Sequence, residues 1–289
     1  MELLTLLQQD TALFLGAVFV LGLLVGSFLN VVILRLPVMM ERRWRRECAE
    51  LLEHPVGEAD APFDLVTPRS RCPHCGHLIT ALENIPVISY LVLRGRCRSC
   101  GAAISARYPF VELLSAGVAV TVAWQFGLTW QTAFALLLSW ALLALTFIDL
   151  DRTWLPDDIT LPFLWLGLLV NTAGRFTDPV SAIIGAAAGY LVLWFVYQVF
   201  KKLTGKEGMG YGDFKLLAML GAWLGWQAIP LIVILSSLVG TVFGLGFILL
   251  RRLGREQPIP FGPYLAIAGW IALLWGERIT TAYLNWAMH

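Results

Sequence analysis

Charge is scarce in this sequence. Asp, Glu, Lys and Arg make up 14% of its 289 residues, where a soluble domain carries about 25%. The charge that exists nearly cancels, with 21 Lys and Arg against 20 Asp and Glu. A net of +1 gives no bulk attraction for nucleic acid or for an acidic partner. Residues 1–10 lack a basic group, and the apolar run after them reaches Pro37 without a small-residue cleavage site. That run is therefore read as a retained helix, not a signal peptide. Internal repeats and low-complexity tracts are also missing.

What fills the chain instead is apolar: 58% hydrophobic residues and a mean hydropathy of +0.71. This composition predicts an all-α, polytopic membrane protein whose partner is the lipid bilayer. A spanning helix needs about 20 mostly apolar residues. Eight segments approach that measure, near 11–36, 110–127, 130–148, 159–174, 180–200, 214–226, 228–250 and 260–276. The fourth, sixth and eighth are short. Short loops rich in Lys and Arg stay on the cytoplasmic side. With both termini outside, only Arg175 and Arg278 of the 21 basic residues fall at an outer connection. The inner loops are then 37–109, 149–158, 201–213 and 251–259, so Asp149 and Asp213 share the cytoplasmic side. The expected division is a first transmembrane helix over 1–37, a cytoplasmic loop domain over 38–109, and a seven-helix membrane domain over 110–289.

Within the loop domain stand Cys72-Pro-His-Cys75 and Cys97-Arg-Ser-Cys100, 21 residues apart. Two such pairs close a four-thiolate zinc site, and Gly76 and Gly101 supply the tight turn after each. Four sulfur ligands leave no open position, so the expected Zn2+ is structural. It staples a loop too small to bury much core. The competing reading is a pair of disulfides or a redox motif, which a reducing cytosol and the missing βαβ pattern disfavour. His74 and His77 are spare donors. Cys48 is an ordinary thiol.

Asp149 ends the run "ALLALTFI" and Asp213 opens "FKLLAML". A charged side chain in the bilayer costs about 2.5–3.5 kcal/mol on insertion scales, so such groups are usually functional or interfacial. A plain helix-end role explains Asp213 as a favourable N-terminal charge, but not Gly208, Gly210 and Gly212 before it. Those glycines do not have the spacing of a dinucleotide cradle and follow an apolar helix. They give a backbone that can approach another chain closely and take φ > 0 conformations, and are expected to seat an extended peptide, with Gly210 and Gly212 nearest Asp213. Two carboxylates brought together share a proton; one activates water while the other polarises a peptide carbonyl. Asp151, Asp157 and Asp158 compete with Asp149 for the first role.

Four ordered stretches resemble one family. "GSFLNVVILRLP" (26–37), the cysteine region (72–112), "FIDLDRTWLPDDITLP" (147–162) and "GMGYGDFKLLAMLGAWLGW" (208–226) are similar to motifs of the type IV prepilin peptidases, over nearly the whole chain. The resemblance implies a bifunctional bacterial inner-membrane enzyme. It would cleave the leader of type IV prepilins and type II secretion pseudopilins with Asp149 and Asp213, on the cytoplasmic face. It would then methylate the new N-terminal residue, typically phenylalanine, with S-adenosyl-L-methionine. No strand-helix signature for that donor exists here. If it binds, "LRGRCR" (93–98) offers Gly95 among cations, or else a basic turn before a metal knuckle. Glu112 either meets substrate or starts a helix. Two other readings stand against the enzyme: an ion-coupled transporter, which lacks the required internal symmetry, and a zinc-stapled scaffold, which leaves Asp213 unexplained.

Overall fold

A computed structural model of the chain describes residues 6, 8–53, 62–249 and 260–288. The expected inner loop 251–259, residues 54–61 of the loop domain, and the extreme ends of the chain lie outside them. The described residues are helical, with no strand; two isolated bridges, Arg71–Leu78 and Arg96–Ala103, are the sole extended pairings among them. In chain order the helices are α1 (Thr11–Leu51), a short α2 (Ile88–Val92), α3 (Arg107–Phe126), α4 (Trp130–Arg152) and α5 (Asp157–Asn171). They continue with α6 (Pro179–Thr204), α7 (Tyr211–Leu224), α8 (Ile229–Leu249) and α9 (Gly262–Ala287). Each of the eight expected segments falls on one of the eight long helices. Among them α1, α3, α4 and α6 are long and apolar enough to cross a membrane.

Two compact units divide the chain, Met1–Leu128 and Thr129–His289. In the first, α1 does not stop at Pro37 but runs on to Leu51. The stretch after the proline consists largely of strong helix formers, and Glu41 pairs with Arg45 one turn on at 2.6 Å. Against α1 lies α3, held by small residues. An added Cβ on Gly22 would stand 2.6 Å from the Ala116 Cα, and one on Gly26 2.7 Å from the Glu112 Cα. The Ser115 hydroxyl donates to the Gly22 carbonyl at 2.7 Å. This is Gly-xxx-Gly packing, in which missing side chains let two backbones close on each other. Sequence reading had passed over it.

The second unit is built around α7. Its 14 residues rise only about 21 Å, less than the roughly 30 Å of hydrocarbon a span must cross. Apolar on all sides, it is a core helix: Phe214, Leu216, Leu217, Met219, Leu220 and Trp223 are fully buried. Gly185 and Gly189 of α6 admit its backbone closely, meeting Gly221 and Leu217. Asn171, buried at the end of α5, donates to the carbonyls of Ala222 and Trp223 at 2.9 Å each, satisfying the exposed end of α7. The shortness of the sixth segment thus reflects burial inside protein.

Candidate active site and metal centre

Asp213 lies in the first turn of α7, not ahead of it. Its Oδ2 accepts the backbone N–H of Gly210, the N-cap residue, at 3.2 Å. Asp149 lies in the last turn of α4, and its Oδ2 accepts the N–H of Gly262, the first residue of α9, at 3.1 Å. A helix N-terminus has unpaired N–H groups that suit a carboxylate. One aspartate uses its own helix for this and the other borrows a neighbour's. Both are almost wholly buried, at 4% and 6% exposure, and Asp213 feels the charge of Asp149. Among the described residues neither carboxylate has a further hydrogen-bond partner or a cation. Each Oδ1 is therefore left for a substrate or a water.

Leu155 joins the two helix starts. Its side chain occupies the space where a Cβ would project from Gly212 (2.8 Å) and from Gly262 (3.0 Å). The rival acids sit elsewhere: Asp151, Asp157 and Asp158 are exposed, and Asp157 is bound to Lys215 at 2.6 Å. Of the four acids in this stretch, Asp149 alone is buried beside Asp213.

The glycines before Asp213 do not use the left-handed conformations open to them. None of Gly208, Gly210 and Gly212 is among the glycines with positive φ. Close packing, not left-handed backbone, requires two of them: Gly208 faces the Phe200 ring and Gly212 faces Leu155. Gly210 alone looks onto open space, the nearest atom to an added Cβ being Asp213 Oδ2 at 3.8 Å. Sequence reading missed Gly262 and Leu155. A glycine between Phe261 and Pro263 at the head of an apolar segment was the available signal.

In the first unit the four expected cysteines come together, their Sγ atoms all within 4.8 Å of one another. Cys72 and Cys100 sulfurs are 3.8 Å apart, Cys75 and Cys97 4.0 Å. Tetrahedral zinc with Zn–S bonds of about 2.3 Å separates its sulfurs by about 3.8 Å, so the donor set fits the metal. Two matching turns build it. Gly76 N–H donates to the Cys72 carbonyl and Gly101 N–H to that of Cys97, both at 2.9 Å, with φ of 73° at each glycine. The spare donor His77 instead meets Glu83 at 3.3 Å.

Beside this centre is a cavity of about 590 Å³ bounded by α1, the knuckles and the start of α3. Gly95 is not part of its wall; with φ of 66°, it lies beneath Tyr90, whose hydroxyl would be 2.9 Å from an added Cβ and which does line the cavity. Glu112, 7% exposed, also lines it and accepts the Val87 N–H at 2.8 Å. Glu112 is past the first turn of α3, so a role in starting that helix does not apply.

Both parts of the chain match families of known proteins. Residues 20–126 match the family described as Bacterial Peptidase A24 N-terminal domain, and residues 136–245 the Type IV leader peptidase family. A prepilin leader peptidase/N-methyltransferase of Aeromonas salmonicida is 61% identical over 275 residues, 94% of each chain. The protein of that name from Pseudomonas aeruginosa is 56% identical over 287 residues, 99% of each, and that from Dichelobacter nodosus 50% over 281, 95% of each. No solved structure matches significantly.

Proposed function

The chain belongs to the type IV leader peptidase family, and from that premise we propose that it removes the leader from type IV prepilins and methylates the N-terminus so exposed. One observation carries the proteolytic half: two buried carboxylates, Asp149 and Asp213, on different helices, each fixed through one oxygen by a backbone N–H, with the charge of Asp149 felt at Asp213. One carboxylate, ionised, takes a proton from water as that water attacks the scissile carbonyl carbon. The other, protonated, donates to the carbonyl oxygen. Collapse of the tetrahedral species breaks the C–N bond, and the leaving nitrogen takes up a proton. No covalent enzyme intermediate is needed. Gly210 borders the path of the extended substrate, whereas Gly212 supports it by seating Leu155.

The cysteines Cys72, Cys75, Cys97 and Cys100 hold a structural Zn2+ that closes the loop domain. S-adenosyl-L-methionine, when bound, supplies an electrophilic methyl group. Gly95 supports this activity by making room for Tyr90. Pseudopilins of type II secretion share the substrate chemistry, a short basic leader before an apolar stem. The enzyme resides in the inner membrane with its termini outside and its aspartates facing the cytoplasm, a reading supported by the distribution of basic residues.

The test is mass spectrometry of a prepilin after incubation with the purified chain, with and without S-adenosyl-L-methionine. Loss of the leader in both, and a further methyl group only with the donor, is expected. An intact prepilin would refute the proteolytic half; cleavage without methylation would refute the second.

A further inference from the structure

We propose that the cavity of the first unit is the binding site of the methyl donor, with the buried carboxylate of Glu112 taking its cationic end. The inference rests on the methyltransferase reading above. Its volume, about 590 Å³, lies inside the roughly 300–1,000 Å³ of small-molecule sites. Neither Asp149 nor Asp213 lines it, so proteolysis gives it no employment.

The polar groups around it select a ligand that is positive at one point and negative at another. Glu112 is more than nine-tenths buried. Its partners are the Val87 N–H at 2.8 Å and the Ser27 hydroxyl; among the described residues no Lys or Arg pairs with it. Burying a carboxylate without a counter-charge is costly, and the cost is recovered when a cation arrives. The cavity also has Arg69, Arg71 and Arg98 in its wall, none paired with a carboxylate among the described residues. S-adenosyl-L-methionine has the complementary pattern, with a sulfonium and an ammonium near a carboxylate, and an adenine that a tyrosine ring can cover. Tyr90 is placed in the wall for that contact, and it holds its position because Gly95 has no side chain.

A terminal ammonium on the cleaved substrate would satisfy Glu112 equally well in charge, but it would leave the arginines and most of the volume unused. The donor fills both.

The test measures binding, not turnover, on the full chain in detergent. In equilibrium dialysis with radiolabelled S-adenosyl-L-methionine, Glu112→Gln should weaken binding roughly tenfold or more, the scale of removing one partner from a buried charge pair. Glutamine keeps an oxygen for the Val87 N–H, and zinc content and circular dichroism report whether the variant is folded. 5′-Methylthioadenosine, which lacks the sulfonium, ammonium and carboxylate, serves as the neutral probe; its binding should change less than about twofold. Equal weakening of both ligands would make Glu112 a shaping residue and overturn its assignment. Unchanged donor binding in Glu112→Gln, with a raised KM for prepilin in methylation, would assign Glu112 to the peptide amine and overturn the proposal. Ultraviolet crosslinking of the donor to the unaltered chain should mark peptides containing Tyr90 or Tyr108; labelling confined to the second unit would also overturn it. A wild-type chain that methylates prepilin while Glu112→Gln binds donor normally sinks this inference alone. A wild-type chain that neither binds donor nor methylates sinks the methyltransferase reading with it.

Discussion

Gly262 donates its backbone N–H to Asp149 over 3.1 Å, and the same geometry forbids it a side chain, because a Cβ there would lie 2.6 Å from the Asp149 Oδ2 it serves. Donor and steric limit fall on one residue. Gly262→Ala should therefore push the Asp149 carboxylate from its position without removing any titrating group. Misplacing a reacting group by 1 Å costs up to about 100-fold, so prepilin cleavage should fall by roughly 10- to 100-fold through kcat. Binding of S-adenosyl-L-methionine should be unchanged. Cleavage at the wild-type rate in a steady-state peptide assay would show that the hydrogen bond does not position Asp149.

Asp149→Asn and Asp213→Asn keep shape and the backbone hydrogen bond but cannot exchange a proton. Each should reduce cleavage by about 100- to 10,000-fold, the range of one general acid or base. In the wild type the pair shares one proton, so the profile of kcat/KM against pH should be a bell. At low pH both groups are protonated and no base takes the proton of water; at high pH both are ionised and no acid supports the carbonyl. The two limbs belong to the pair, not to one residue. A single-limbed profile, or a variant with full activity, would remove that aspartate from the mechanism.

How much of this site was legible beforehand follows from the range of the contacts involved. The aspartates and cysteines announce themselves because a charge in an apolar run and a paired Cys-x-x-Cys are local patterns. The choice of Asp149 over Asp151, Asp157 and Asp158 rests on family resemblance, and burial is what sets Asp149 apart from them in the structure. Gly262 is 113 residues from Asp149, and nothing near either one encodes their meeting. Gly22 and Gly26 do show a local Gly-xxx-Gly spacing, but the partner they admit appears only when α3 is laid against α1. The glycines before Asp213 were read for backbone freedom, yet two of them serve packing against Phe200 and Leu155. Sequence shows that a side chain is missing; it does not show what fills the space.

The four-cysteine centre should lose zinc as pH falls. The N–H groups of Cys75 and then His74 turn toward the Cys72 sulfur and bring its thiol down to about 7 from an ordinary 9.0. Its thiolate form therefore stabilises the fold above the unfolded value, and that contribution disappears as pH drops through about 7. Cys100 accepts the Ala102 N–H, but the Cys75 sulfur, burial, and then Cys97 and Cys72 push its thiol up to about 11. Four sulfurs this close do not all ionise unless a cation sits among them. Zinc binding near neutral pH should accordingly release protons, measurable with a pH indicator in weak buffer. Zinc captured by a colorimetric chelator should increase from about pH 8 to about pH 5, with a lower Tm for the stripped protein. Retention of metal across that range would count against thiolate ligation.

Gly26 ties the two activities to different parts of the chain. A methyl group added there meets the Glu112 Cα at 2.7 Å and the Ser115 Cβ at 3.0 Å, both on a helix whose backbone has no slack toward α1. Overpacking of this kind costs about 1–3 kcal/mol, and α3 must retreat to relieve it. Glu112 and Ser27, which meet across this contact, would separate as it does. Gly26→Ala should thus weaken S-adenosyl-L-methionine binding and methylation several-fold. Asp149, Asp213, Gly210 and Gly262 all belong to the second unit, so cleavage of the same prepilin should keep most of its rate. Running both assays on one preparation makes the comparison internal. Loss of cleavage in step with methylation would mean that the α1–α3 contact supports the whole enzyme and not the donor cavity alone.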